Sequence, residues 1–268
     1  MYFQHCPKRI VSLQPSATVI LATLGRLDLV VACTRYCLEV CPRAKGRIIV
    51  ADSWTAKTEQ ILSAKPDVVI ASVPYQEKAV VEIMKSGARF LGLSPRNLED
   101  IYCDITCIAG MVGACNRGEQ IVREMKRQVA AFHRKTSKLP AVRVFCEEWG
   151  KPLIASQPWV AELVEAAGGI FAGVPGAKTS AQDVLQAGPD VLIAAWCGAG
   201  DRVPLEKVVR QRGWSNMPAV RNGRVYCIRD EFLNTPAPTL ISGLRALAAA
   251  LHPEHFPQPD GIRSLTKV

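Results

Sequence analysis

The segment Thr58-Glu59-Gln60-Ile61-Leu62-Ser63-Ala64-Lys65-Pro66-Asp67-Val68-Val69-Ile70-Ala71 returns later as Ala181-Gln182-Asp183-Val184-Leu185-Gln186-Ala187-Gly188-Pro189-Asp190-Val191-Leu192-Ile193-Ala194. Each copy reads as a helix that stops at Pro-Asp and is followed by four apolar residues. An apolar run of that length between turn signals is a strand buried on both faces, the form strands take in a parallel sheet. Two copies this far apart imply two similar α/β lobes. Ligand sites favour the interfaces between such lobes, so the repeat predicts a small-molecule cleft between them.

The 268 residues suffice for two domains with complete cores, and 49% hydrophobic with 21% charged residues is a globular composition. The net charge of +9 does not point to nucleic acid, because Lys and Arg are dispersed. Their one dense stretch, Arg117 to Lys138, reads as the solvated face of a helix. No apolar run reaches membrane-spanning length, so no membrane insertion is expected. The first residues pass into a strand without an apolar leader, which predicts a cytoplasmic chain as it stands. A chain shortened at its start would read the same and belong in the periplasm. Ten cysteines lie scattered through apolar segments, without a disulfide framework, and are expected to be mostly buried thiols.

Along the chain, strands are predicted at Arg9–Leu13, Leu29–Cys33, Val68–Ala71 and Arg89–Leu93, with helices from Pro15 to Leu24, at Thr58–Ser63 and at Glu77–Ser86. After Leu98 one helix is followed by a longer one from Gly118 to about Lys135, which links the lobes. The second lobe repeats the alternation. Its strands are Val142–Cys146, Val191–Ala195 and Arg224–Ile228; its helices are Trp159–Ala167, Leu205–Arg212 and Leu240–Leu251. The expected division is an N-terminal lobe at 1–113, a linking helix at 114–138, a C-terminal lobe at 139–256 and a loose Pro- and Gly-rich tail at 257–268.

The segments Arg9 to Thr18, Asp52-Ser53-Trp54, Glu59-Gln60-Ile61 leading to Pro66-Asp67, and Trp214 with Pro218 to Tyr226 together resemble the helical-backbone (class III) substrate-binding proteins of ABC importers for cobalamin and iron chelates. A narrower likeness, through Cys37, Glu148 to Pro152, Trp159 to Gly169 and Trp196-Cys197-Gly198, is to signal-less cobalamin-binding-like proteins. The resemblance covers about residues 8 to 253. It implies a non-enzymatic monomer of two α/β lobes with mainly parallel sheets flanked by helices, joined by one long backbone helix, with the ligand in the inter-lobe cleft. It also implies docking to an ABC permease through a surface glutamate on each lobe. Glu59 takes the first of these positions, but the second falls on Gln182, with Asp183 one residue along.

Loops after strand C-termini gather ligand contacts in α/β proteins, and here they are rich in aromatics and thiols. The expected ligand-binding residues are Ser16, Arg35, Tyr36, Cys37, Trp54 and Tyr75 in the first lobe, and Glu148, Trp149, Trp159, Trp196, Cys197 and Phe232 in the second. Trp54, Trp149 and Trp196 offer flat apolar platforms for a macrocycle or chelate, such as cobalamin or another corrinoid. Arg35 suits an anionic group. Cys37 and Cys197, at matching positions in the lobes, could ligate a soft metal such as iron or zinc as thiolates, although alone each reads as a buried thiol. Cys103 and Cys107, four apart, read as one core-facing stripe of a helix. Glu147 and Glu148 are adjacent on a strand, so their side chains point to opposite faces and do not make a catalytic pair. Ser16 at a helix start has no histidine or nucleophile elbow beside it and reads as a cap. No catalytic residue is expected. A second reading, an intracellular metal-handling or metallocofactor-metabolism protein using the two thiolates, differs from the first in its dependence on Cys37 and Cys197.

Overall fold

The computed structural model describes residues 6–73, 77–85 and 87–265. The chain divides into two compact units, residues 1–124 with 236–238 and residues 125–235 with 239–268. The first contains β1 (Ile10–Ser12), α1 (Pro15–Thr23), β2 (Val30–Cys33), α2 (Arg35–Val40), β3 (Ile48–Ile49), α3 (Thr58–Ser63), β4 (Val68–Ser72), α4 (Glu77–Lys85), β5 (Arg89–Leu93) and α5 (Leu98–Met111). Its five-stranded sheet runs β3-β2-β1-β4-β5 with every pairing parallel. β4 at the repeat is buried at all five positions. This is why it is written without polar alternation: helices cover both of its faces.

α6 (Cys115–Thr136) begins in the first unit and ends in the second. It starts three residues before the predicted Gly118. The second unit then builds β6 (Val142–Gly150), β7 (Leu153–Ala155), α7 (Pro158–Ala166), β8 (Gly169–Phe171), α8 (Ala181–Ala187), β9 (Val191–Ala194), α9 (Leu205–Gln211), α10 (Pro218–Arg221), β10 (Val225–Ile228), α11 (Leu240–Leu251) and β11 (Ile262–Ser264). The sheet order is β11-β10-β9-β6-β7, with β8 also on β6. β6 outruns its predicted end at Cys146. Its first residues pair in parallel with β8, and its last pair antiparallel with β7 across a bulge between Glu147 and Trp149. Within the segment expected to be a loose tail, Ile262–Ser264 add an antiparallel edge strand to β10.

The structure explains the Pro-Asp of the repeat. In the first copy Asp67 Oδ2 accepts the backbone N–H groups of Lys8 and Arg9 at 2.7 and 2.9 Å, while Arg9 Nη2 donates to Ala64 O at 2.6 Å. In the second, Asp190 Oδ2 accepts from Arg143 N at 2.9 Å and Arg143 Nη2 donates to Ala187 O at 2.6 Å. Each copy thus fastens the end of its helix to the start of the unit's first strand. The aspartate satisfies strand donors, and the arginine satisfies helix carbonyls left without partners. The core of the first unit packs Val11, Leu13, Ile61, Val69 and Ile83, and that of the second packs Phe145, Leu192, Val209, Trp214 and Val225.

Candidate ligand-binding site

In the first unit the loops that follow β1, β3 and β4 are tied to one another. Gln14 Nε2 donates to Ser53 Oγ at 2.7 Å and to Ser72 O at 3.3 Å. The turn after Asp52 is closed by that residue, whose Oδ1 accepts from Trp54 N, Thr55 N and Thr55 Oγ1 at 3.1, 3.0 and 2.8 Å. This local bonding holds the backbone under Trp54 and leaves its indole 57% exposed. Arg35 opens α2 and is exposed; its guanidinium lies 4.7 Å from the Tyr36 ring centroid and donates to Tyr36 Oη at 2.7 Å. Arg35 and Tyr36 therefore act as one stacked polar unit.

Ser16 and Cys37 are corrections. Ser16 sits inside the first turn of α1, 4% exposed, and the cap position belongs to Gln14. Cys37 is fully buried because Thr34 caps α2 and turns the third residue of that turn inward. Its Sγ lies 3.2 Å from Thr34 Oγ1 and 3.8 Å from Ser12 O. Burial pushes this thiol up, but hydrogen bonds with Cys33, Thr18 and Thr34 outweigh it and bring the pKa down to about 6. Cys33 is driven upward by the same Cys33–Cys37 bond and by burial. Tyr75 lies outside the described residues.

In the second unit the ends of β6 and β9 and the loop after β10 converge. Ala195 N donates to Glu147 O at 2.8 Å and Cys197 N to Glu148 O at 3.1 Å. Asp230 accepts from Gly198 N and Gly200 N, both at 2.8 Å. Asn234 Nδ2 donates to Ala195 O at 2.6 Å and to Cys197 Sγ at 3.3 Å. The adjacent glutamates do point apart. Glu147, 2% exposed, takes a bidentate ion pair from Arg212, with Nη2–Oε1 at 2.6 Å, and a bond from Trp196 Nε1 at 2.9 Å. Glu148 accepts from Gln157 Nε2 at 2.9 Å. Burial pushes both carboxyls above their ordinary range; Arg212 and Trp196 oppose this at Glu147, and Gln157 opposes it at Glu148. Burial, then the charges of Glu148 and Asp230, push the Cys197 thiol strongly upward.

Trp149 is 44% exposed and is steadied by its Nε1 bond to Lys151 O at 2.9 Å. Trp196 is half-buried with its indole so close over Gly150 that a Cβ there would come within 2.7 Å of the ring. Trp159, expected among the ligand-binding residues, is turned into the core. It is 8% exposed in the first turn of α7, and its Nε1 donates to Leu233 O at 2.9 Å. The ring of Phe232 is half-buried against Gly261 and the Arg229 side chain. Cys103 and Cys107 are also corrected. They share a face of α5, but it is the exposed one, because Ile101, Tyr102, Ile105 and Ile108 take the buried side. Five of the ten cysteines are buried, one is half-buried and four are exposed.

Among the described residues no three His, Cys, Asp or Glu side chains gather as a metal-holding set. Cys37 and Cys197 belong to different units and Cys37 is sealed in its core, so the bare-metal reading is not carried further. Glu59 is exposed in the first turn of α3, whereas Asp183 is turned back on its own helix, its Oδ2 accepting from Ser180 N at 3.0 Å and Ser180 Oγ at 2.7 Å. No helix among the described residues is long and apolar enough to cross a membrane. Sequence reasoning missed Gln157, Arg212 and Asn234, which position the acids and the thiol. None has a local signal, since Arg212 and Asn234 meet partners 65 and 37 to 39 residues away.

The chain is 27% identical to an uncharacterized ABC transporter substrate-binding lipoprotein of Bacillus subtilis (strain 168), over 93% of this chain and 82% of the relative. It is 25% identical to the vitamin B12-binding protein of Vibrio cholerae, over 91% and 89%. A solved periplasmic heme-binding protein from Pseudomonas aeruginosa superposes with a TM-score of 0.88 at 20% identity, covering 97% of this chain and 99% of that one. The periplasmic vitamin B12-binding protein of Vibrio cholerae superposes with 0.76 at 22% identity, covering 93% and 98%. The two-unit α/β architecture with parallel-rich sheets is that of these proteins. The Periplasmic binding protein family model matches residues 10–232, and the chain belongs to this family of binding proteins.

Proposed function

We propose that this chain is the substrate-binding component of an ABC importer and carries a corrinoid or a related metal-chelate macrocycle. The observation that carries the reading is the pair of large indoles left open at strand C-terminal ends, Trp54 in the first unit and Trp149 in the second. An exposed tryptophan on a braced backbone is a flat apolar surface at little entropic cost, suited to the face of a ring system. In the first unit the stacked Arg35–Tyr36 pair offers guanidinium donors to an anionic group such as a phosphate. Relatives named for vitamin B12 and for heme support this ligand class. The chain acts as a monomer and meets a permease through Glu59, with no matching carboxylate in the second unit because Asp183 is held in its cap.

The test is titration of the purified chain with cyanocobalamin, dicyanocobinamide and hemin, followed by tryptophan quenching and ligand absorbance. One-to-one binding without turnover of the ligand is expected, and Trp149→Ala and Trp54→Ala should each weaken it by roughly tenfold, about 1.4 kcal/mol. Binding of none of the three sinks the proposal.

A further inference from the structure

Resting on the macrocycle reading above, we infer that Glu148, Cys197 and Asn234 form a specificity element that accepts hydrogen bonds from amide N–H groups at the ligand's edge and turns away carboxylate-edged chelates. The three side chains are half-buried at the carboxyl ends of β6 and β9 and in the loop after β10, so they are neither sealed in the core nor fully solvated. Their bonding leaves acceptors over. The Asn234 amide nitrogen is spent on Ala195 O at 2.6 Å and Cys197 Sγ at 3.3 Å, which fixes the orientation of the group. Its Oδ1 is buried without a partner. Glu148 receives Gln157 Nε2 at 2.9 Å and also a backbone N–H of Gln157, but a carboxylate has room for about four such bonds. The Ser156 hydroxyl, on the residue before Gln157, is a further buried oxygen without a partner.

The charge balance points the same way. Glu148 and Asp230 both act on Cys197. The arginine next to Asp230 in sequence, Arg229, is committed to Glu231 at 2.6 Å, and Arg212 is committed to Glu147 on the other side of β6. An incoming carboxylate would meet the like charge of Glu148, whereas an amide N–H would find lone pairs still open on that carboxylate. Leaving a buried acceptor unpaired is costly, and a site built to receive a donor rejects a ligand that lacks it far more sharply than apolar contact can. The selection is thus made by polar complementarity, separately from the indole platforms.

Two corrinoids share one ring and differ only at its edge: dicyanocobinamide carries amides, and dicyanocobyrinic acid carries carboxylates. Titration of the full chain with both, and with hemin, is expected to show at least a tenfold preference for the cobinamide. Glu148→Gln, which keeps shape but loses the charge, and Asn234→Leu, which removes the orphan oxygen, should each narrow that ratio at least fivefold. Trp54→Ala is the contrast, lowering both corrinoids without changing the ratio. Equal binding of the two corrinoids by the unaltered chain, or preference for the acid, overturns the inference. So does a ratio that stays fixed in Glu148→Gln. If the chain binds none of the three macrocycles, the proposed function itself falls, and the inference with it.

Discussion

β1 and β6 start alike and end differently. Each is the first strand of its unit and has an arginine at its start, Arg9 or Arg143, whose N–H is held by the repeat's aspartate and whose guanidinium ties down a helix end. Four residues on, the first unit has Leu13 and the second has Glu147, and both are 2% exposed. Leu13 needs only apolar neighbours. Glu147 needs Arg212, the Trp196 N–H and the Trp214 ring 4.8 Å from the guanidinium. One residue further, Gln14 bridges loops, while Glu148 is half-buried and accepts from Gln157. A duplicated frame can therefore keep its fastening and let the strand end diverge, one copy towards packing and the other towards charge.

The largest test of that contrast breaks the ion pair. Arg212→Ala should cost about 3–5 kcal/mol by leaving a buried carboxylate unpaired. The double variant Glu147→Leu with Arg212→Met, which gives the second unit the first unit's apolar solution, should recover most of this in urea unfolding. Recovery of nothing would mean that the pair is not interchangeable with packing.

Next are the ends of the repeat helices. α8 starts on Ser180 with a full capping box and stops on Gly188 at φ 56°, whereas α3 starts on Lys57 without a side-chain cap and stops before Lys65, held at φ 47°. Ser180→Ala should cost about 1 kcal/mol. Lys65→Gly should gain up to about 1 kcal/mol, since glycine takes the left-handed conformation without the Cβ penalty. A loss at Lys65 would show that its side chain outweighs that strain.

The smallest effect is in pH. The folded carboxyl of Glu148 titrates above the ordinary glutamate range because burial disfavours its charge more than Gln157 supports it. Such a group adds stability in full below its unfolded pKa, and that stability is lost as pH rises through the folded value. Urea midpoints of the unaltered chain should therefore fall relative to those of Glu148→Gln as pH climbs from the ordinary glutamate range through the raised one. Parallel curves for the two proteins would remove the assignment.

Much of the frame was legible because it is local. The apolar runs after Pro-Asp, and the helices Thr58–Ser63 and Leu240–Leu251, carry their boundaries in their own residues. β3, β7, β8 and β11 have only two or three residues each and exist through partners elsewhere in the chain, so no periodicity marks them. At the candidate site, position in a loop after a strand was legible and direction was not. Cys37 and Trp159 sit in first turns of helices, where one residue's difference decides between core and surface. Trp54 and Trp149 face out because an aspartate turn and a β-bulge set their backbones.

The antiparallel strand Ile262–Ser264 also sets a timetable. The sheet of the first unit has its last strand by Leu93, but β10, complete at Ile228, lacks its outer neighbour until Ser264 is made. At ordinary rates of synthesis the interval between β10 and that neighbour lasts about two to seven seconds. Throughout it, the edge of β10 carries unpaired N–H and C=O groups that another nascent chain could pair with.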